Sequence, residues 1–159
     1  MAVFKADYGT EKQSITITIT SLTNTSARQS TVVDNTTNLY LDSLVQVQVK
    51  SAAAATSANG YVNVYAYGTV DVADSLYPDG ITGSDGSVTL VVPTNLRLIG
   101  TINVVANSTT YASEPFSVAA AFGGVLPEKW GIVVENQSGA TLDASVGAAY
   151  YQGIWGQSA

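Results

Sequence analysis

Short segments of two-residue alternation constrain the fold of this chain more than any other feature. In the clearest of them, residues 14–21, isoleucine alternates with threonine. Successive side chains of a β-strand point to opposite faces, and β-branched residues favour that conformation. Alternation of this kind, without helical periodicity, indicates β-strands. We expect about eight strands, at 14–21, 39–50, 61–69, 87–92, 96–106, 116–121, 130–136 and 148–157.

Turn residues separate the expected strands, as at Asn59-Gly60, Pro78-Asp79-Gly80 and Asp85-Gly86. Many short strands joined by turns predict an all-β fold with a single antiparallel β-sandwich, jelly-roll-like in topology. An immunoglobulin-like sandwich is the alternative, because strand order cannot be read from the pattern. Gly100 lies inside a long expected strand and predicts a bulge or bend there.

The chain divides into an N-terminal arm, residues 1–13, and a β-sandwich domain, residues 14–159. The arm mixes charges and a glycine with two isolated aromatic residues, Phe4 and Tyr8, and has no periodicity. We expect the arm to fray unless its aromatic residues dock it on a partner. Residues 51–60 are expected to form a loop with an optional turn of helix.

The composition of the chain excludes several kinds of chemistry. It has no histidine and no cysteine, so it lacks the commonest general base, metal ligand and thiol nucleophile. Its six basic residues are scattered and the net charge is −6, which argues against nucleic-acid binding. No apolar stretch suits a signal peptide or a membrane span. We expect a non-enzyme without a cofactor, made in a cytoplasm and not bound to a membrane.

Three tyrosines form the most distinctive local pattern. Tyr61, Tyr65 and Tyr67 share one face of an expected strand by parity. Tyrosine supplies a large contact area and a hydroxyl that orients a partner, as in protein interfaces and sugar platforms. The stripe is open to three interpretations: a sheet face partly covered by a loop, a subunit contact, or a glycan-binding surface.

The C-terminal strand is apolar on both faces. Tyr151 and Trp155 share one face, and Tyr150 and Ile154 share the other. A bare apolar edge strand would aggregate. The strand must therefore lie centrally in the fold or be covered by a neighbouring subunit.

Acidic residues provide only weak candidates for a metal or a catalytic site. The turn-rich loop 71–86 holds four possible calcium ligands, but their spacing does not match an EF-hand. Glycoside hydrolysis needs two facing carboxylates, and nothing in the sequence brings together Glu114, Glu128 and Glu135. The weak calcium candidates are Asp71, Asp74, Asp79 and Asp85.

Segment 95–143 contains four characteristic strings, LRLIG at 96–100, NSTTY at 107–111, PFSVAAAFGG at 115–124 and LPEKWGIVVEN at 126–136, and YQGI follows at 151–154. With these strings the segment resembles small structural proteins of tailed bacteriophages. The resemblance implies a virion component that is made in the host cytoplasm and assembled without enzymatic work. It carries over no functional residues, because these strings are strand sequences rather than catalytic motifs.

We therefore expect a non-enzymatic structural component of a bacteriophage virion, decorating the capsid or attached to the tail. Its expected partners are other virion proteins and further copies of itself, a trimer being possible. A carbohydrate-binding module of a host-recognition device, using the tyrosines and the acidic loop, is the alternative. The candidate contact residues are Phe4, Tyr8, Tyr61, Tyr65, Tyr67, Tyr151 and Trp155.

Overall fold

Strands dominate the regular structure of the chain. The computed structural model describes residues 4–53, 56–71, 73 and 76–158. Within these residues the only helix is a short 3₁₀ turn, Ala119–Phe122, so no described helix could reach across a bilayer. The strands are β1 (Phe4–Tyr8), β2 (Gln13–Ile15), β3 (Ala27–Gln29), β4 (Val33–Asp34), β5 (Asp42–Lys50), β6 (Tyr61–Thr69), β7 (Gly86–Val88), β8 (Arg97–Asn103), β9 (Thr110–Ala112), β10 (Phe116–Ser117), β11 (Lys129–Gln137) and β12 (Gly147–Ser158).

The strands form two six-stranded antiparallel sheets. Sheet A has the order β1-β12-β5-β10, with β2 paired to β12 and β9 paired to β5. Sheet B has the order β7-β3-β11-β6-β8, with β4 paired to β11. The predicted antiparallel β-sandwich is therefore confirmed.

The strand order is that of a jelly roll. Three pairs of short strands continue one another against the same neighbour: β1 with β2, β3 with β4, and β9 with β10. With these joined and β7 set aside, eight strands remain, in the orders 1-8-3-6 and 2-7-4-5. First pairs with last, second with seventh, third with sixth and fourth with fifth, as in a long hairpin rolled into two sheets. The immunoglobulin-like alternative does not have this order.

In residues 14–21 the alternating pattern predicts correctly which side chains are buried. It does not predict how long the paired strand is. Ile15, Ile17 and Ile19 are buried and Thr16 and Thr18 are exposed, as the pattern requires. The paired strand β2 nevertheless ends at Ile15, because the following residues run extended between the sheets without a ladder. Likewise, only the start of the expected strand 87–92 is paired, in β7.

The expectation that the arm frays is wrong for its described residues. Strand β1 pairs with β12 along its whole length, from Phe4 opposite Ser158 to Tyr8 opposite Ile154. Its position at the edge of sheet A gives it one ladder of hydrogen bonds, which isolated aromatic residues in a sequence do not reveal. The optional helical turn at 51–60 falls partly on residues outside the described part of the chain.

The main core lies between the sheets and is built from the inward residues of both. Strand β5 contributes alternate valines, β6 contributes Val62, Val64 and Ala66, and β11 contributes Trp130 with its neighbours on the same face. The Trp130 indole is fully buried and meets the Tyr151 ring edge-on, with ring centroids 5.5 Å apart. This geometry suits two aromatic quadrupoles and fixes the spacing between the sheets.

The bulge predicted at Gly100 is present. Strand β8 pairs Gly100 with Val64 and Leu98 with Tyr65, so one extra residue, Ile99, stands opposite no partner. A Cβ at Gly100 would lie 2.2 Å from the Phe116 ring. Glycine is required here because β8 and β10 approach each other closely where the two sheets meet.

Candidate functional site

The three tyrosines of β6 do not form one surface. Tyr67 is fully buried, and its hydroxyl donates a hydrogen bond of 2.7 Å to the Ser30 carbonyl. Burial raises the pKa of Tyr67 to about 12. The Tyr77 ring meets the Tyr67 ring edge-on at 5.4 Å. The prediction of Tyr67 as a contact residue is therefore wrong.

A second hydrophobic cluster on the outer face of sheet B explains the burial of Tyr67. Residues 76–96, called here the covering segment, supply side chains that cover this half of the sheet, and residues 86–88 within it form the edge strand β7. Tyr67 and Val133 of the sheet lie beneath Ile81 and Leu96 of the covering segment. Partly buried side chains complete the cluster: Tyr65, Tyr77, Val88 and Leu90.

Two of the suggested calcium ligands hold the covering segment in place. The Asp79 carboxylate accepts hydrogen bonds from the Thr94 hydroxyl at 2.6 Å and from the backbone and side-chain nitrogens of Asn95, both at 2.7 Å. These bonds lower the pKa of Asp79. The Asp85 carboxylate accepts a bond of 2.6 Å from Arg28 Nε and one of 2.6 Å from the Thr18 hydroxyl.

The acidic loop does not gather its carboxylates. The oxygens of Asp79 and Asp85 are occupied by protein donors, while Asp74 lies outside the described residues. Asp71 is the second residue after the end of β6. Across the described residues, no three acidic side chains come close enough to hold a metal ion. Asp79 and Asp85 thus serve as loop anchors.

The other two tyrosines of β6 are less buried than Tyr67, and Tyr65 packs partly buried against the cluster. The Tyr65 hydroxyl donates to Glu135 Oε2 at 2.9 Å, and Asn63 Nδ2 donates to the same oxygen at 3.0 Å. Burial, followed by the hydrogen bond to Glu135, raises the pKa of Tyr65 to about 12. Tyr65 is therefore a fixed, neutral donor, whereas Tyr61 lies further along the strand with 38% of its surface exposed.

Neighbouring residues extend this surface. Leu98 lies opposite Tyr65 in β8 and is exposed. Thr101 donates to Asn63 Oδ1 at 2.9 Å, and Gln137 donates to Glu135 Oε1 at 2.9 Å. Of the predicted stripe, Tyr61 and part of Tyr65 remain available to a partner.

The C-terminal strand is central, so its inward aromatic residues are core residues. Strand β12 lies between β1 and β5 in sheet A. Tyr151 is buried, and burial raises the pKa of its hydroxyl, which donates to Gln13 Oε1 at 3.0 Å. Trp155 stacks on the Tyr40 ring, with centroids 5.2 Å apart and planes 16° apart. Tyr151 is buried and Trp155 is half-buried, so the prediction that both are open contact residues is wrong.

Tyr8, one of the two aromatic candidates in the arm, reaches solvent. It is 56% exposed in β1, while the side chain of Phe4 lies outside the described part of the chain. The backbones beside Tyr8 are linked: Ile154 stands opposite Tyr8, the Leu41 N–H donates to the Ile154 carbonyl at 2.7 Å, and the Leu126 N–H donates to the Leu41 carbonyl at 3.2 Å.

These linked segments expose large apolar side chains at one end of the sandwich. Leu39, Leu41 and Val125 are 66%, 52% and 70% exposed. With Tyr8 they are called here the end patch. Sequence reasoning missed the three aliphatic members, because a single exposed leucine or valine in a loop gives no periodic signal.

Glu128 and Glu135 stand too far apart to form a glycosidase pair. Glu128 and Glu135 stand seven residues apart along the extended β11 segment, a separation of about 23 Å at ~3.3 Å per residue. Paired catalytic carboxylates lie roughly 5–9 Å apart. Glu114 is an exposed residue between β9 and β10, which belong to the other sheet.

Comparison with family models and with curated sequences gives no relative from which a role could be transferred. No family model matches the chain, and no curated protein matches its sequence significantly. The surface of the jelly roll therefore provides the basis for a functional proposal.

Proposed function

We propose that this chain is a non-enzymatic structural component of a bacteriophage virion, decorating the capsid or attached to the tail in many copies. It would act by burying its surface against other virion proteins and further copies of itself, a trimer being one possible closed form. The proposed location is the virion, after synthesis in the host cytoplasm.

The end patch is the observation that carries the proposal. Four large apolar side chains, each more than half exposed, stand on neighbouring segments at one end of the sandwich. Large apolar side chains that are exposed on neighbouring segments favour an interaction site. Burying it would gain about 25 cal/mol for each Å² removed from water.

The charge of the chain supports the same role. Only 11% of its residues are charged, against roughly 25% in an average domain. Ion pairs join Arg28 to Asp85 and Lys50 to Asp143. A surface that carries few charged groups costs less to desolvate at an interface, which favours close packing in an assembly.

The fold is compatible with this role without selecting it. Jelly rolls serve as viral capsid domains and also as lectins, so topology alone does not choose between these functions. The resemblance of segment 95–143 to small phage structural proteins favours the virion.

The test is incorporation into particles. Phage particles from cells that carry this gene are purified by density gradient, and the chain is counted by quantitative mass spectrometry. We expect many copies per particle, and a reduction of at least about tenfold for Leu41→Ser combined with Val125→Ser. Thr110→Ser, at an exposed position of β9, is the matched control. Particles that lack the chain would refute the proposal.

A further inference from the structure

A groove separates the start of sheet B from the loop that follows β2. Its volume is about 660 Å³, within the ~300–1,000 Å³ typical of ligand sites. One wall is formed by residues 18–26, and the other by β7 and the residues that follow it to Val92. The tyrosines and acidic residues that suggested glycan binding from sequence do not line it.

Hydroxyl groups dominate the walls of the groove. The Thr18 hydroxyl is bound to Asp85, and those of Thr23 and Ser26 are bound to each other at 2.7 Å. Within the described part of the chain, four other lining hydroxyls make no hydrogen bond, and each can both donate and accept. These four belong to Thr20, Ser21, Ser87 and Thr89.

Charged groups stand in the lining as well. Arg28 donates through Nε to Asp85, which leaves the four terminal N–H donors of its guanidinium. Glu135 is held by Tyr65, Asn63 and Gln137. Because the charge of Arg28 is balanced by Asp85 and Glu135 adds a negative charge, the groove does not favour an anion.

Apolar side chains occupy the space between the polar groups. Leu22, Val88 and Leu90 line the groove, and Val92 extends it at the surface. A ligand that fits must combine hydroxyl groups at its edges with C–H surface on its faces, and it must be uncharged. We propose that the groove binds a neutral oligosaccharide.

An extended peptide is a weaker fit to the same space. Peptides that add to a sheet need a long free strand edge. At the groove that edge is β7, which has three residues. The side-chain hydroxyls, in contrast, are spread over both walls. The inference is independent of the virion role, so failure of either leaves the other standing.

The test begins with the full chain on an array of neutral, sialylated and sulfated oligosaccharides, followed by calorimetric titration of the neutral glycans that bind. We expect saturable binding of at least one neutral glycan, with a Kd at or below about 1 mM. Binding only to acidic glycans, or no binding to a neutral glycan at about 10 mM, would overturn the proposal.

Variants locate the binding. Ser87→Trp and Thr89→Trp each place an indole in the groove from an exposed position, and we expect at least about tenfold weaker binding. Thr110→Trp, on the opposite sheet, is the matched control and should bind as the parent does. Two separate positions are used so that one misfolded variant, identified by circular dichroism, does not decide the result. Unchanged binding in the folded groove variants would overturn the proposal.

A smaller change tests the hydroxyl contacts. Thr20→Val keeps the shape of the side chain and removes its hydroxyl. We expect about fivefold weaker binding of the same neutral glycan if that hydroxyl contacts the ligand. An affinity equal to that of the parent would contradict hydroxyl recognition at this wall.

Discussion

The outer faces of the two sheets differ in how far other parts of the chain cover them. On sheet B, Tyr67 and Val133 are fully buried because the covering segment packs over them. On sheet A, Tyr150 and Gln152 remain partly exposed, with the Lys12 ammonium 4.9 Å from the centre of the Tyr150 ring. The difference shows that this jelly roll builds a second core where its outer face is apolar and leaves a mixed face open.

The sharpest test of this comparison removes one tyrosine from each outer face. Tyr67→Ala should lower the free energy of unfolding by about 3–5 kcal/mol, because it empties a buried site. Tyr150→Ala should cost less than about 1 kcal/mol. Urea denaturation measures both. Equal losses would mean that the two faces do not differ as described.

A substitution beneath the second core tests how tightly it is packed. A Cβ at Gly131 would lie 2.3 Å from the Tyr67 ring, so Gly131→Ala must displace that ring and should cost about 1–3 kcal/mol. Gly86→Ala is the control, because its nearest neighbours are 3.8 Å away. We expect the control to change stability by less than about 1 kcal/mol. Similar losses in the two variants would show that the second core is loosely packed.

The Tyr67 hydroxyl gives a pH-dependent test. Tyr67→Phe leaves the buried Ser30 carbonyl without this donor and should cost about 1–2 kcal/mol at neutral pH. The pKa of Tyr67 is raised to about 12 in the folded state, against about 10 unfolded. Its contribution is therefore complete below pH 10 and is lost between about pH 10 and 12.

Denaturation series across that pH range compare the two proteins. The parent should lose more stability than Tyr67→Phe, although Tyr65, whose pKa is also raised to about 12, titrates in both. Parallel curves would contradict the burial of the Tyr67 hydroxyl.

The smallest expected effect concerns an anchor of the covering segment. Burial raises the pKa of Asp85, but hydrogen bonds from Arg28 and Thr18 outweigh it, and the net pKa is lowered. The stabilisation is present above the unfolded pKa of about 3.9 and is lost as the pH falls through the folded value. Asp85→Asn should cost less than about 1 kcal/mol at neutral pH, because the pair is partly exposed.

The loss of stability at acid pH tests the direction of the pKa shift of Asp85. Asp85→Asn should show a shallower loss of stability than the parent as the pH falls below about 4. Asp79, whose pKa is also lowered, titrates in both proteins. An unchanged slope would remove Asp85 as an anchor.

Alternation predicts which way a side chain faces but not what covers it. Tyr61 and Tyr67 share parity in β6, yet one is partly exposed and the other is buried. The covering segment buries Tyr67 through packing between residues distant in sequence, Ile81 among them, and leaves Tyr61 partly exposed. The sandwich and the Gly100 bulge follow from local patterns, whereas the second core depends on this long-range packing.

The candidate surfaces were harder to predict for the same reason. The sequence pattern predicts that Tyr151 needs cover. The neighbouring strand β5 and Trp130 of the opposite sheet supply that cover. Leu41 and Val125 belong to the end patch because the chain brings two loops beside β12. The groove lies between residues 18–26 and residues 87–92, which are distant in sequence, so local composition does not predict it.

The mass of the purified chain in solution, alone and mixed with phage particles, tests the proposed role most directly. Light scattering should give a multiple of the 16.5 kDa chain mass, or binding of the chain to the particles, and either should be lost in Leu41→Ser with Val125→Ser. A species of 16.5 kDa at every concentration, without affinity for the particles, would contradict the proposed role.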